Sequence, residues 1–341
     1  MRAATWWLSV GNRLSFTCAN TWRARSGGEP TRGTVGDMPG PGFTHRPGLL
    51  SLPAEVLGAL QEQVGSRVAS VEDRHGGMSP GPAAIVTLEN SRRVFVKAGD
   101  RRVSPRSVEL YEDELDVLDL LGPEVPHAPL VTGFSHRSWV GIVTDVADGD
   151  NPGPPWTIGS VDATLVAIDS LGTAPQGLPP LVDRAPGLDG WRELAATDRG
   201  PLDNWERERI DRLAGVETGW EEWTRGEHLV HLDVRGDNAI ATVDGVRLVD
   251  WSFGCHGERW VDRSLLAADV AASGQADAVM LAERCLQPCP KEAGRLVVAL
   301  AGMWRRNSSL PDHPNLPTFR AWQRHRAGNL RPLVDRILAV I

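Results

Sequence analysis

The sequence predicts an α+β protein of two lobes, a small β-rich one and a larger, mainly helical one, and three stretches carry that expectation. The runs 83–88 and 93–97 are rich in β-formers and are joined through Asn90-Ser91, which reads as a hairpin. Asp148-Gly149-Asp150-Asn151-Pro152-Gly153-Pro154-Pro155 is dense in turn formers and suits a hinge between lobes. Beyond it apolar residues recur at helical spacing, as in Val161, Leu165, Ile168 and Leu171.

Taken in order, residues 1–42 are rich in Arg, Gly, Thr, Trp and Pro without a periodic apolar face, so burial cannot offset their ordering entropy. They are expected to form a disordered extension, with Met38 just before the first helical pattern. The first lobe is expected over 43–147 and the second over 148–341. Residues 52–64 form a short amphipathic pattern ahead of the hairpin. Ser104-Pro105 then supplies an N-cap and a proline at the first helical position, opening a helix that runs to about residue 121, where Gly122-Pro123 stops it. A strand is expected near 139–144. In the second lobe the helical pattern is interrupted by β-rich runs at 229–232, 239–243 and 246–250, and helices follow near 262–273, 276–286, 292–305 and 318–340.

Composition narrows the class of partner. With 341 residues, 41% of them hydrophobic, the chain can bury a substantial core. A formal net charge of −8 opposes binding to nucleic acid or to an anionic membrane, both of which need a positive face. It tolerates a cationic ligand. Cys18, Cys255, Cys285 and Cys289 are too irregular for a disulfide framework, and the last two have no zinc-knuckle spacing, which points to reduced thiols in the cytoplasm. No apolar run approaches the ~20 residues of a membrane span, and the apolar stretch in MRAATWWLSVGNR is too short and early for a signal peptide.

The chemistry concentrates in His231-Leu232-Asp233-Val234-Arg235-Gly236-Asp237-Asn238, followed twelve residues later by Asp250-Trp251-Ser252. Phosphoryl transfer needs a carboxylate at the attacking hydroxyl and oxygen ligands for Mg²⁺, and Asp233, Asn238 and Asp250 supply those groups. An aspartate followed five residues on by an asparagine is the spacing of the kinase catalytic loop, and Asp250 falls where that pattern has its second metal ligand. Each acid alone is more simply a turn former. The acids do not alternate as an EF-hand requires, and His231 has no further histidines at zinc spacing. Lys97 closes Val94-Phe95-Val96-Lys97, in the position of a phosphate-holding strand lysine. Glu114 shares a helix face with Leu110, Tyr111, Val117, Leu118 and Leu121, so its carboxylate needs a cation, and Lys97 is the expected one, with Glu112 and Glu109 as alternatives. Gly76, Gly77 and Ser79 belong to a flexible loop before the hairpin, whose glycine spacing fits no standard phosphate loop and whose position alone suggests that it covers a nucleotide.

These residues resemble the aminoglycoside phosphotransferase and choline kinase-like family, and LVHLDVRGDNAI with VRLVDWSFGCHGERWVD is close to its actinobacterial members. The resemblance covers about residues 50 to 335. It implies a protein-kinase-like two-lobe fold and a phosphotransferase that uses ATP or GTP with Mg²⁺ on a hydroxyl of a small molecule. It also implies Asp233 as catalytic base and Asn238 and Asp250 as metal ligands. Lys97 and Glu114 would then serve the phosphates, and Thr144, Asp145 and Val146 the adenine edge. His231 and Asp262 would brace the catalytic loop, and the simpler alternative for Asp262, a helix N-cap, is compatible with that role. Ser252 departs from the family, which often has an acid or glycine there, and Phe95 shares the Lys97 face and narrows the nucleotide pocket.

Only eleven residues separate Asp250 from Asp262, with no A-P-E sequence, so no protein-substrate segment fits and a small acceptor is favoured. Its site is expected between 156 and 227, where Asp183, Trp191, Asp198, Asp203, Trp205, Trp220, Glu221, Glu222 and Trp223 mix aromatic and acidic groups. The alternative for each is a core tryptophan or a solvated acid. A nucleotide-binding pseudokinase without turnover is opposed by the presence of Lys97, Asp233, Asn238 and Asp250 together.

Overall fold

The computed structural model describes residues 46–75, 77–185, 187–197, 202–312 and 316–341. The expected extension over 1–42, Gly76 and Asp198 lie outside the described residues.

The first lobe is a five-stranded antiparallel sheet, formed by β1 (Val68–Asp73), β2 (Ala83–Leu88), β3 (Arg93–Asp100), β4 (Leu130–His136) and β5 (Trp139–Asp145). Their order is β1-β2-β3-β5-β4. Alternation along the strands splits the sheet into two faces. Ala84, Val86, Val94, Val96, Ala98 and Val143 pack with Leu49 and with Val56 and Leu60 of helix α1 (Ala54–Val64). Ala83, Ile85, Phe95, Lys97, Ile142 and Thr144 line the interlobe cleft. Central β3 thus holds Lys97 between Ala83 of β2 and Ile142 of β5. β3 runs three residues beyond the expected end at Lys97, because Ala98, Gly99 and Asp100 go on pairing with β5. β1 and β4 were not expected. Both are edge strands whose burial follows no clean two-residue alternation, and Gly133 further weakens the signal in β4.

Helix α2 (Pro105–Leu120) packs on β3 and β5. Ser104 Oγ accepts the Ser107 N–H at 3.2 Å, and Pro105 occupies the first turn, as the sequence indicates. Tyr111, Glu114, Val117 and Leu118 are buried on its inner face.

The second lobe begins with α3 (Ile158–Asp169), α4 (Leu181–Arg184), α5 (Gly190–Ala196), α6 (Asn204–Glu217) and α7 (Trp220–Trp223). Four short strands follow, β6 (His228–Val230), β7 (Ala239–Thr242), β8 (Gly245–Leu248) and β9 (Cys255–Gly257), paired as β6 with β9 and β7 with β8. The lobe ends with α8 (Val261–Ala272), α9 (Ala278–Leu286), α10 (Lys291–Asn307), α11 (Phe319–Asn329) and α12 (Arg331–Val340). From Leu296 to Trp304 every residue of α10 is buried, making it the axis of the helical core. The single helix expected over 318–340 divides at Leu330, because Pro332 lacks the N–H that would continue α11.

Candidate active site

Lys97 lies between two carboxylates. Its Nζ contacts Glu114 Oε2 and lies 3.1 Å from Asp250 Oδ1, and it sits 5.1 Å from the centre of the Tyr111 ring. Burial alone would lower the ammonium pKa, but Asp250 and Glu114 outweigh it and hold Lys97 charged, well above the usual lysine range. Glu109 and Glu112, the alternatives on α2, pair instead with Arg106 at 3.2 Å and Arg101 at 2.5 Å. Burial pushes Asp250 up as well, yet Lys97 draws it well below the ordinary carboxylate range. Ser252 Oγ is 3.0 Å from Asp250 Oδ1 and 3.3 Å from Glu114 Oε2, so its one proton serves either acid. The departure at Ser252 therefore joins the strand lysine's two partners.

Asp250 does not end a strand as the sequence suggests. β8 stops at Leu248, and Asp250 has φ 65°, a left-handed conformation that breaks the ladder and turns the carboxylate toward Lys97. Leu232, at φ 62°, is the second such residue in the site. Its conformation is held by Asp262 of α8, which accepts the His231 N–H at 2.7 Å and the Leu232 N–H at 2.9 Å. Non-glycine residues tolerate this region only where neighbours over-determine it.

His231 is fully buried, and burial pushes its imidazole down to about 4, so it is neutral. Nε2 lies 2.9 Å from the Val249 carbonyl, which only accepts, so Nε2 carries the proton and Nδ1 accepts the Asp233 N–H at 3.3 Å. Both ring nitrogens are thus committed to holding the loop. Asp233 points toward the cleft, where burial pushes its carboxyl up to about 7 against the pull of Arg235, whose Nε is 3.7 Å from Oδ1. Asn238 Nδ2 donates to Asp233 Oδ2 at 2.7 Å and to the Asp233 carbonyl at 3.0 Å, leaving the amide oxygen for a cation.

Three supporting residues escaped the sequence reading. Asp269 accepts the Gly236 N–H at 3.0 Å and pairs with Arg326 at 2.7 Å. It follows Asp262 by two helical turns, a spacing that could have revealed it. Arg235 is half-buried beside Asp233 and forms an ion pair with Asp237 at 2.9 Å. Asn151, from the turn-rich stretch, donates to the Gly236 and Ala239 carbonyls at 2.9 and 3.0 Å. Gly236 admits no side chain here, since a Cβ would fall 2.0 Å from the Gly153 oxygen.

Lys97, Glu114, Asp233, Asn238 and Asp250 all line one cleft of about 790 Å³ between the lobes. Gly77, Ser79, Thr144, Asp145 and Val146 also line it, whereas His231 and Asp262 support the loop from behind. The acceptor residues expected between 156 and 227 do not: Trp191 and Trp220 are core, bonded to the Val298 carbonyl and to Asp189, and Asp203 caps α6. The far wall instead comes from α8, α10 and α11.

No protein-family profile matches the sequence, and no curated protein matches it. Among solved structures, a thermostable mutant of aminoglycoside phosphotransferase APH(4)-Ia, in ternary complex with AMP-PNP and hygromycin B, superposes with a TM-score of 0.54 at 15% identity. That match covers 85% of this chain and all of the other. The fold is that of the aminoglycoside phosphotransferases and choline kinases. A choline/ethanolamine kinase family protein from Mesorhizobium loti matches with a TM-score of 0.51 at 14% identity, over 80% of this chain and 92% of its own. Choline kinase LicA from Streptococcus pneumoniae gives 0.50 and 14%, over 82% and 98%. Within the described residues, no helix of this fold is long and apolar enough to cross a membrane.

Proposed function

We propose that the protein is a Mg²⁺-dependent phosphotransferase that moves the terminal phosphate of ATP or GTP onto a hydroxyl of a small molecule. The observation that carries this reading is Lys97 held between Glu114 and Asp250, with Asp233 and Asn238 opening onto the same cleft. Asn238 and Asp250 offer hard oxygen donors, and among the described residues no group of three or more His, Cys, Asp or Glu forms a metal cage. That donor set suits Mg²⁺, which is held by one or two carboxylates plus substrate phosphates. When bound, the Mg²⁺-nucleotide supplies the phosphoryl group and neutralises charge on its oxygens.

The residues of the chain then have distinct tasks. Lys97, kept charged by its two acids, meets the phosphates, and Glu114 fixes its direction. Asp233 accepts the proton of the acceptor hydroxyl, and a carboxyl poised near 7 is well matched to that exchange. Ala83, Ile85, Phe95 and Ile142 give the nucleobase an apolar slot, with the backbone from Thr144 to Val146 at its edge. Mass spectrometry of a hydroxyl-compound panel incubated with ATP and Mg²⁺ tests the reading. A phosphorylated product is expected, and Mg²⁺-independent nucleotide binding without transfer to any member would overturn it.

A further inference from the structure

Beyond Asp233 the cleft changes character. Its far wall is built from Leu265 of α8, Leu296, Leu300 and Met303 of α10, and Leu316 ahead of α11. The acid on this wall is Asp269, already bound to the Gly236 N–H and to Arg326. Trp304 and Trp322 meet edge to face at 6.3 Å, and Phe319 stacks on Trp322 at 5.8 Å. Such a cluster would suit an ammonium ligand if its ring faces were open. They are not: the Arg326 guanidinium lies 4.4 Å from Trp304 and 4.8 Å from Trp322, and Arg320 lies 5.5 Å from Phe319. A cation entering here meets two fixed guanidiniums.

Arg320 adds a second observation. It is 5% exposed, with Nε on the Pro311 carbonyl and Nη1 on Gln323 Oε1, both at 3.0 Å. Among the described residues its Nη2 is buried with no hydrogen-bond partner, and the exposed Asp312 is the acid whose charge reaches it. A buried donor left unpaired is costly, and an oxygen of a bound molecule would satisfy it.

Resting on the phosphotransferase reading, we propose that the acceptor is a hydroxyl-bearing molecule with an apolar body and a carbonyl or carboxylate oxygen, neutral or anionic, received by Arg320. The negative net charge of the whole chain does not govern this compartment, whose wall pairs apolar side chains with guanidiniums. The Asp269 contact to Gly236 places the wall directly against the catalytic loop.

A matched probe set separates the alternatives: a long-chain ω-hydroxy acid, its methyl ester, the corresponding ω-hydroxyalkyl trimethylammonium, and a polycationic aminosugar. Binding is measured by calorimetry on the full chain without nucleotide, and transfer by ADP release with ATP and Mg²⁺. The acid or ester is expected to bind about tenfold or more tightly than the ammonium compound, the weight of one charge-assisted hydrogen bond. Preference for the ammonium compound or the aminosugar, or no binding of acid and ester, overturns the proposal. Binding of acid or ester without any ADP release would instead count against the phosphotransferase reading alone. Arg320→Met should erase the acid-over-ammonium ratio. Because Arg320 also anchors Pro311 and Gln323, Leu265→Asp provides an independent check at a partly exposed wall position, and it should tilt the ratio toward the ammonium compound. An unchanged ratio in both folded variants refutes the assignment.

Discussion

At Asp233 two influences oppose each other, burial raising the carboxyl to about 7 and Arg235 pulling it down. As the proposed base, Asp233 acts when ionised, so kcat/KM should rise with pH through about 7 and level off above it. Arg235→Gln removes the downward pull, so that limb should move to higher pH, which a pH–rate profile will show. Asp233→Asn should lower turnover by ~10² or more while leaving nucleotide affinity within a few fold, since Asn238 and Asp250 remain. An equal loss of nucleotide affinity would remove Asp233 from the base role. At the same scale the sequence was informative where chemistry forced a partner, as with Glu114 on an apolar face. It marked Ser252 as a departure but gave no sign of its link to Asp250 and Glu114, which exists only because α2 and the turn after β8 meet.

Among the elements, α8 holds the loop from His231 to Asn238 through Asp262 and Asp269. Asp262→Ala leaves the His231 and Leu232 N–H groups without their acceptor and the left-handed Leu232 unsupported, costing ~1–3 kcal/mol. A melting experiment should then show a drop on the order of 2–4 °C per kcal/mol, together with reduced activity. Glu217 plays a comparable part at α5, whose N-terminal Trp191 and Arg192 N–H groups it accepts at 3.2 and 2.7 Å. Burial pushes its carboxyl from the ordinary 4.5 up to about 8. Between those values the folded chain holds a proton that the unfolded chain has released, so stability falls as pH rises through that window. Glu217→Gln should flatten this dependence in melts at pH 5 and pH 8.5, and an unaltered pH slope would rule out Glu217 as its source.

Across the whole molecule, Lys97 with Asp250, Ser252 with Glu114, and Arg184 with Asp113 at 2.8 Å tie the two lobes around the cleft. A nucleotide bound there should stabilise the folded chain, by ~2.7 kcal/mol at a hundredfold excess over its Kd. ATP should raise the melting temperature of the native protein when Mg²⁺ is present, and Asp250→Ala should abolish the Mg²⁺-dependent part. An equal Mg²⁺-dependent shift in the variant would exclude Asp250 as a ligand.

The sequence by itself determined the local order of the chain, because that order rests on short-range rules. The capped start of α2, the hairpin of β2 and β3, and the Asp233-to-Asn238 spacing are each written within a few neighbouring residues. It also placed Lys97 and Phe95 on one strand face through two-residue alternation. Only the tertiary structure decided which apolar residues form the far wall of the cleft, the proposed acceptor wall. Leu265, Leu300 and Met303 have the same periodicity as core residues, and nothing local tells a side chain facing a cleft from one facing another helix. The acidic and aromatic residues between 156 and 227 were misplaced for the converse reason. Their composition suits a ligand, but burial of Trp191 and Trp220 and the capping role of Asp203 depend on how distant helices pack.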